Sequence, residues 1–263
     1  MKFAPARLIL AVLAVSAAVF VAVPVLASDP TPEQKAQSAK DAEERLHTDW
    51  AWLGRYRDAN AALPQPVAGQ PRIVLIGDSI TQGWFDQVPA FFKPGRIGRG
   101  IGGQTTPQML VRFPADVIAL KPAVVQIMAG TNDIAFNTGP MTPDESKANI
   151  RAMTELAQAN GIRVILASIP PADRYPWRPG LDTGSKIVAM NMWLKSYAAA
   201  TGSTYADYWS ALVAPGTVGM REGLSSDHVH PTPAGYAVMA PVAERAFKAA
   251  LARPAPTRAV IAR

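Results

Sequence analysis

The chain has no cysteine. That excludes a disulfide framework, a thiolate metal site and a lipid carried on a cysteine near the start of the chain. Histidine is scarce as well, with His47, His228 and His230 the full set, so a zinc site would have few ligands to draw on. Charged residues make up 17% of the sequence, and neither a long low-complexity tract nor an internal repeat is present. The formal charge of +6 belongs mostly to the ends. Lys2 and Arg7 carry two of these charges, and Arg253, Arg258 and Arg263 carry three with no acid among them, which leaves the body near +1. A body so weakly charged argues against nucleic acid as a partner.

The sequence is organised in four parts. Residues 1–27 join a short basic head to an unbroken apolar and small-residue run, Leu8 to Val23, ending in Val25-Leu26-Ala27. This is the pattern of a secretory signal peptide cut after Ala27. An uncleaved anchor is the competing reading, since the run is only slightly shorter than a membrane span; Pro24 and the small-residue site favour cleavage. The expectation is an exported protein, periplasmic or secreted, with no stable membrane insertion after cleavage. Residues 28–70 read as a helical segment with Leu46, Trp50 and Leu53 on one packed face, followed by the linker "ALPQPVAGQP". Residues 71–251 form the main domain, and 252–263 a disordered basic tail.

Four Thr-Pro pairs, at Thr31, Thr106, Thr142 and Thr232, stand before stretches of helical apolar spacing. A threonine hydroxyl accepts a free backbone N–H and proline lacks the one that would go unpaired, so each pair reads as a helix start. Between the helices run "RIVLI" at 72, "AVVQIMA" at 123, "RVILASI" at 163 and "STYADY" at 203. Strands without polar alternation, set between helices with apolar faces (Ile150, Met153, Ala157; Ile187, Met190, Leu194; Tyr236, Met239, Ala243, Phe247), imply a parallel sheet covered on both sides. The predicted fold is a doubly wound, three-layer α/β/α sandwich.

Ligand sites in such sheets lie beyond the carboxyl ends of the strands. "GDS" (Gly77 to Ser79) follows the first strand and "GTND" (Gly130 to Asp133) a later one, so both emerge on one rim. A serine nucleophile needs a base oriented by an acid. His47 belongs to the N-terminal segment, which leaves His228 and His230, both in "SSDHVHPTPAGY" with Asp227 three residues before His230. Asp78 is expected to bond loop amides. Asp227, His228 and His230 as metal ligands are the competing reading.

"GDSITQGW", "GIGGQT", "GTND" and "DHVHP" stand in the order and spacing of the four blocks of the SGNH hydrolases, also called the GDSL esterase family, which the chain resembles over about Pro71 to Leu251. The resemblance implies a flavodoxin-like parallel sheet and ester hydrolysis without cofactor or metal. It implies Ser79 as nucleophile with Asp227 and His230 completing a triad. It also implies an oxyanion hole formed by the N–H of Ser79, the N–H of Gly103 and the side-chain amide of Asn132. Ile80 replaces the leucine of the family name, and Thr81 rules out the Gly-x-Ser-x-Gly elbow of another hydrolase fold.

The expected substrate is a small-molecule or glycan ester with a short acyl group, most simply an acetylated carbohydrate. Trp84, Tyr175, Trp177 and Arg178, with Arg174, are read as a wall for a sugar or an aromatic alcohol; a packed proline-rich loop is the alternative. Lysophospholipase, arylesterase and thioesterase activities remain open within the family, and a non-catalytic glycan-binding module outside it.

Overall fold

A computed structural model describes residues 31–258. The leader expected over 1–27 and the last five residues of the tail lie outside the described residues. The chain divides into two compact units, Met1–Ala42 and Glu43–Arg263. Helix α1 (Pro32–Thr48) begins at a reciprocal cap in which Thr31 N–H donates to Gln34 Oε1 at 2.8 Å and Gln34 N–H to Thr31 Oγ1 at 3.2 Å. None of its residues is buried. The expectation of one packed face therefore fails: the helix stops before Trp50 and Leu53, and Leu46, Trp50 and Leu53 are all exposed.

The second unit continues with α2 (Arg57–Ala61), β1 (Ile73–Gly77), α3 (Ser79–Gln87), β2 (Arg96–Gly100), α4 (Thr106–Asp116), β3 (Val124–Met128) and α5 (Thr131–Ile134). It ends with α6 (Pro143–Ala159), β4 (Arg163–Ala167), α7 (Thr183–Ala200), β5 (Thr204–Ala206), α8 (Tyr208–Leu212) and α9 (Pro233–Ala252). The five strands are all parallel, in the order β2-β1-β3-β4-β5. Period-two alternation sends Val74, Ile76, Val125 and Ile127 to one face, against Met109, Phe113, Ile150, Met153, Ile187 and Leu194. It sends Ile73, Leu75, Val124 and Met128 to the other, against Ile80, Trp84, Tyr236, Met239 and Phe247. The sheet is thus sandwiched between α4, α6 and α7 on one side and α3 and α9 on the other. Each fully buried aliphatic or aromatic side chain contributes about 1.5–3 kcal/mol. Among the described residues, no helix is long and apolar enough to cross a membrane.

Three local expectations need revision. The strand β2, "RIGRG", carries two arginines and two glycines and has no strand signature of its own; it is a strand because its register on β1 supplies the hydrogen bonds. Helix α4 is capped by Thr105 and not by Thr106, whose N–H and hydroxyl both go to the carboxylate of Asp133. The start of the tail is held: Arg253 donates to Gly202 O and Arg258 to Asn160 O. Those carbonyls lie at the C-terminal ends of α7 and α6, where free acceptors and the helix dipole attract cations.

Two strands and a helix converge at Gly100. A Cβ there would sit inside the contact distance of the backbone at Thr81, Gln82 and Asp78, all at the start of α3, and backbone has no rotamer with which to retreat. Gly100→Ala is expected to cost about 2–3 kcal/mol of stability, read as a lower urea midpoint with an unchanged denaturant slope.

Candidate active site

The strand order reverses between β1 and β3, and the crevice at such a switch is where a doubly wound sheet leaves room for a ligand. Ser79 leaves β1 and Asn132 leaves β3, one on each side of it. Ser79 is the first residue of α3. Asp78 caps that helix by accepting the N–H of Ile80 at 2.9 Å, so the cap does not engage the N–H of Ser79 itself. Asp78 is buried. Desolvation is the largest influence on it and pushes its pKa up to about 6, against the pull of the Ile80 N–H and the charge of His230 and with a push from Asp133.

The loop between α8 and α9 brings in the other partners. Asp227 Oδ1 accepts the N–H of Val229 at 3.1 Å and of His230 at 2.8 Å. This tight side-chain turn places His228 in the left-handed region at φ 74°. The second oxygen, Oδ2, lies 2.7 Å from His230 Nδ1, and His230 Nε2 lies 2.8 Å from Ser79 Oγ. A carboxylate only accepts, so Nδ1 carries the proton and Nε2 of the neutral ring accepts from the serine hydroxyl. Partial burial opposes ionisation of Asp227, but the bonds from the His230 N–H and ring and from the Val229 N–H outweigh it and hold its carboxyl below the ordinary range. His228 faces elsewhere: its Nδ1 is 3.2 Å from Asp173 Oδ1, and Arg174 donates to its Nε2. Asp227, His228 and His230 therefore do not converge on a common point.

The turn after β2 carries Gly103 at φ 76°, a conformation that a side chain would strain. Its neighbours are engaged, Gly102 N–H by Gln82 Oε1 at 2.8 Å and Gln104 N–H by Ile101 O at 3.3 Å. Among the described residues no hydrogen bond takes the N–H of Gly103. Asn132 is buried. Its Oδ1 accepts from Asn137 Nδ2 at 2.7 Å and its Nδ2 donates to Gln104 O at 3.0 Å; this fixes the amide's orientation and leaves one N–H over. A serine hydroxyl hydrogen-bonded to an oriented imidazole, with amide N–H groups of Gly103 and Asn132 left uncommitted, is an arrangement suited to acyl transfer.

The four residues read as a substrate wall fare differently. Trp84 is a correction: it is fully buried, stacked with Phe91 at 4.4 Å and Tyr236 at 5.5 Å between centroids. Near as it is to Ser79 in sequence, the helical phase that it shares with Ile80 turns it to the core. Tyr175 is also buried, and desolvation raises its phenol pKa. Arg178 spends its guanidinium on the carbonyls of Ala135 and Phe136. Trp177 is exposed, stacks on Tyr175 at 5.1 Å and lies 6.3 Å from the His230 ring. The sequence reading missed Gln82, Gln104 and Asn137, which orient the donors. All three lie in or beside the quoted blocks, but a lone amide has no spacing that marks it.

A model of the GDSL-like lipase/acylhydrolase family matches residues 75–238. A solved GDSL-like lipase from Bacteroides thetaiotaomicron is 43% identical, with a TM-score of 0.74, over 77% of this chain and 100% of its own. An acetylxylan esterase from Geobacillus stearothermophilus is 27% identical over 55% of this chain and 68% of its own length. An isoamyl acetate-hydrolyzing esterase 1 homolog from Bos taurus is 29% identical over 63% and 76%.

The raised pKa of Asp78 has a sign. The folded state holds this proton to higher pH than the unfolded chain, so the contribution of Asp78 to stability falls as pH rises from about 4 towards 6 and is level beyond. Asp78→Asn keeps the capping acceptor and removes the charge. Its stability relative to the parent is expected to climb across that window and plateau above it, in urea melts from pH 4 to 8. A pH-independent difference would contradict the shift.

Proposed function

The chain belongs to the GDSL-like lipase/acylhydrolase family and is a carboxylic ester hydrolase, and from that premise we propose that it cleaves short acyl esters, above all acetyl esters of carbohydrates, through an acyl-enzyme on Ser79. The observation that carries this reading is the line Ser79 Oγ to His230 Nε2 at 2.8 Å and His230 Nδ1 to Asp227 Oδ2 at 2.7 Å. His230 takes the serine proton as Oγ attacks the ester carbonyl, and Asp227 stabilises the imidazolium. The N–H groups of Ser79 and Gly103 and the free amide hydrogen of Asn132 hold the oxyanion. The tetrahedral species collapses, its C–O bond breaks, and the alcohol leaves with the proton from His230. Water repeats the sequence, releasing the acid and restoring the serine.

The acetyl preference is supported by two relatives, an acetylxylan esterase and an isoamyl acetate-hydrolyzing esterase homolog. It also fits a rim built from small or polar residues, Gly102, Gly103, Asn132 and Asn137. Export rests on the leader-like sequence of residues 1–27. A longer acyl chain is the second reading. It is favoured by an apolar cavity of about 340 Å³ lined in part by Ile134, Phe136, Met141 and Met190, beside Asp133.

His230→Ala is expected to lower kcat for p-nitrophenyl acetate by about a thousandfold, while His228→Ala retains most of it; equal loss in both folded variants would remove the assignment. In a chain-length series of p-nitrophenyl esters, kcat/KM is expected to peak at two to four carbons and to have fallen by eight. A peak at ten or more would select the longer-chain reading, because each buried CH2 adds about 0.8 kcal/mol.

A further inference from the structure

Next to the Gly103 turn lies a cleft of about 260 Å³ whose far wall comes from outside the residues that the family model matches: Arg45, Leu46, Trp50 and Trp52 face Gly103, Asn137 and Thr138 across it. Resting on the esterase reading above, we propose that this cleft is the alcohol subsite, and that residues 45–54 form a recognition wall for the sugar ring of an acetylated carbohydrate.

The wall is built rather than draped. Asp49 accepts the N–H of Leu53 at 2.7 Å and of Gly54 at 2.8 Å, and its own carbonyl accepts the N–H of Trp52 at 2.8 Å. This turn holds Trp52 at φ 53°, a conformation costly for a bulky side chain and kept only where the surroundings enforce it. The guanidinium of Arg45 lies 3.8 Å from the centre of the Trp52 ring, stiffening the indole. Gln104 and Gln108 donate to the carbonyls of Ala51 and Trp50, each at 2.8 Å. Their amides therefore fix the wall to the oxyanion turn and are not spent on ligand.

What remains for a ligand is chemically specific. Trp50 is 39% exposed, so two indoles line the cleft, and an aromatic face matches the apolar C–H face of a pyranose. The guanidinium hydrogens of Arg45 and the hydroxyl of Thr138 suit ring hydroxyls. Among the described residues no carboxylate lines the cleft. Gly103 lines this cleft, so an ester whose carbonyl oxygen meets its N–H has the wall within reach of its alcohol.

The test compares two esters with the same acyl group, methyl tri-O-acetyl-β-xylopyranoside and ethyl acetate, in the parent, Trp50→Ala and Trp50→Phe. Removing the Trp50 side chain leaves its carbonyl, and so the Gln108 anchor, in place. Trp50→Ala is expected to lower the xyloside-to-ethyl-acetate ratio of kcat/KM about tenfold, mainly through KM for the xyloside, and Trp50→Phe to restore most of it. Trp50→Leu replaces the alanine variant should that one fail to fold. An unchanged ratio overturns the subsite even if both rates fall. A parent that cleaves ethyl acetate but not the xyloside overturns the sugar, and one that cleaves neither overturns the acetylesterase reading beneath it.

Discussion

One buried guanidinium ties the site together. Arg112 is fully buried in α4, and donates to Gln104 Oε1 at 2.5 Å, to Asp116 Oδ2 at 3.0 Å and to Gly77 O at 2.9 Å. Gly77 precedes the Asp78-Ser79 pair, and Gln104 follows Gly103. The strand that leads into Ser79 and the turn that carries Gly103 therefore share a single charged anchor. Burying it is costly, and desolvation lowers its pKa. The planar guanidinium offsets that cost by meeting three acceptors through three separate nitrogens, a spread that the single nitrogen of a lysine does not have. Asp116 extends the network to Asn60 at 2.7 Å, and Asn60 to Arg99 at 2.8 Å. The site's geometry is thus fixed from below by polar contacts, while the apolar faces of the sheet hold the layers.

How much of this was legible in the sequence follows from how local each signal is. β1, β3 and β4 announce themselves as runs of aliphatics, and the Thr142 and Thr232 caps are where the Thr-Pro pairs point. The pairing of Asp227 with His230 was readable because both lie in one short loop, where three residues' separation lets a single turn bring carboxylate to ring. β2 was not readable, because its strand character comes from its partner. Trp84 misled for the opposite reason: closeness in sequence to Ser79 says nothing about helical phase. Leu46, Trp50 and Leu53 were read as one face of a helix, but the helix ends at Thr48, and the contacts of Trp50 and Ala51 with Gln108 and Gln104, more than fifty residues away, leave no local trace.

The two carboxylates flanking the site illustrate how environment divides like groups. Asp227, partly exposed and bonded by three hydrogens, is held in its charged form. Asp78, buried with one backbone hydrogen bond, is pushed toward its neutral form, and buried Asp133 shifts the same way. The carboxylate bonded to the His230 ring is kept near water, and the buried carboxylates are not given the same freedom.

The contact of His228 with Asp173 and Arg174 fastens the loop bearing Trp177 to the loop bearing His230. Access and competence are therefore mechanically linked. Any swing that widened the mouth on the Trp177 side would drag on the turn that aims the imidazole.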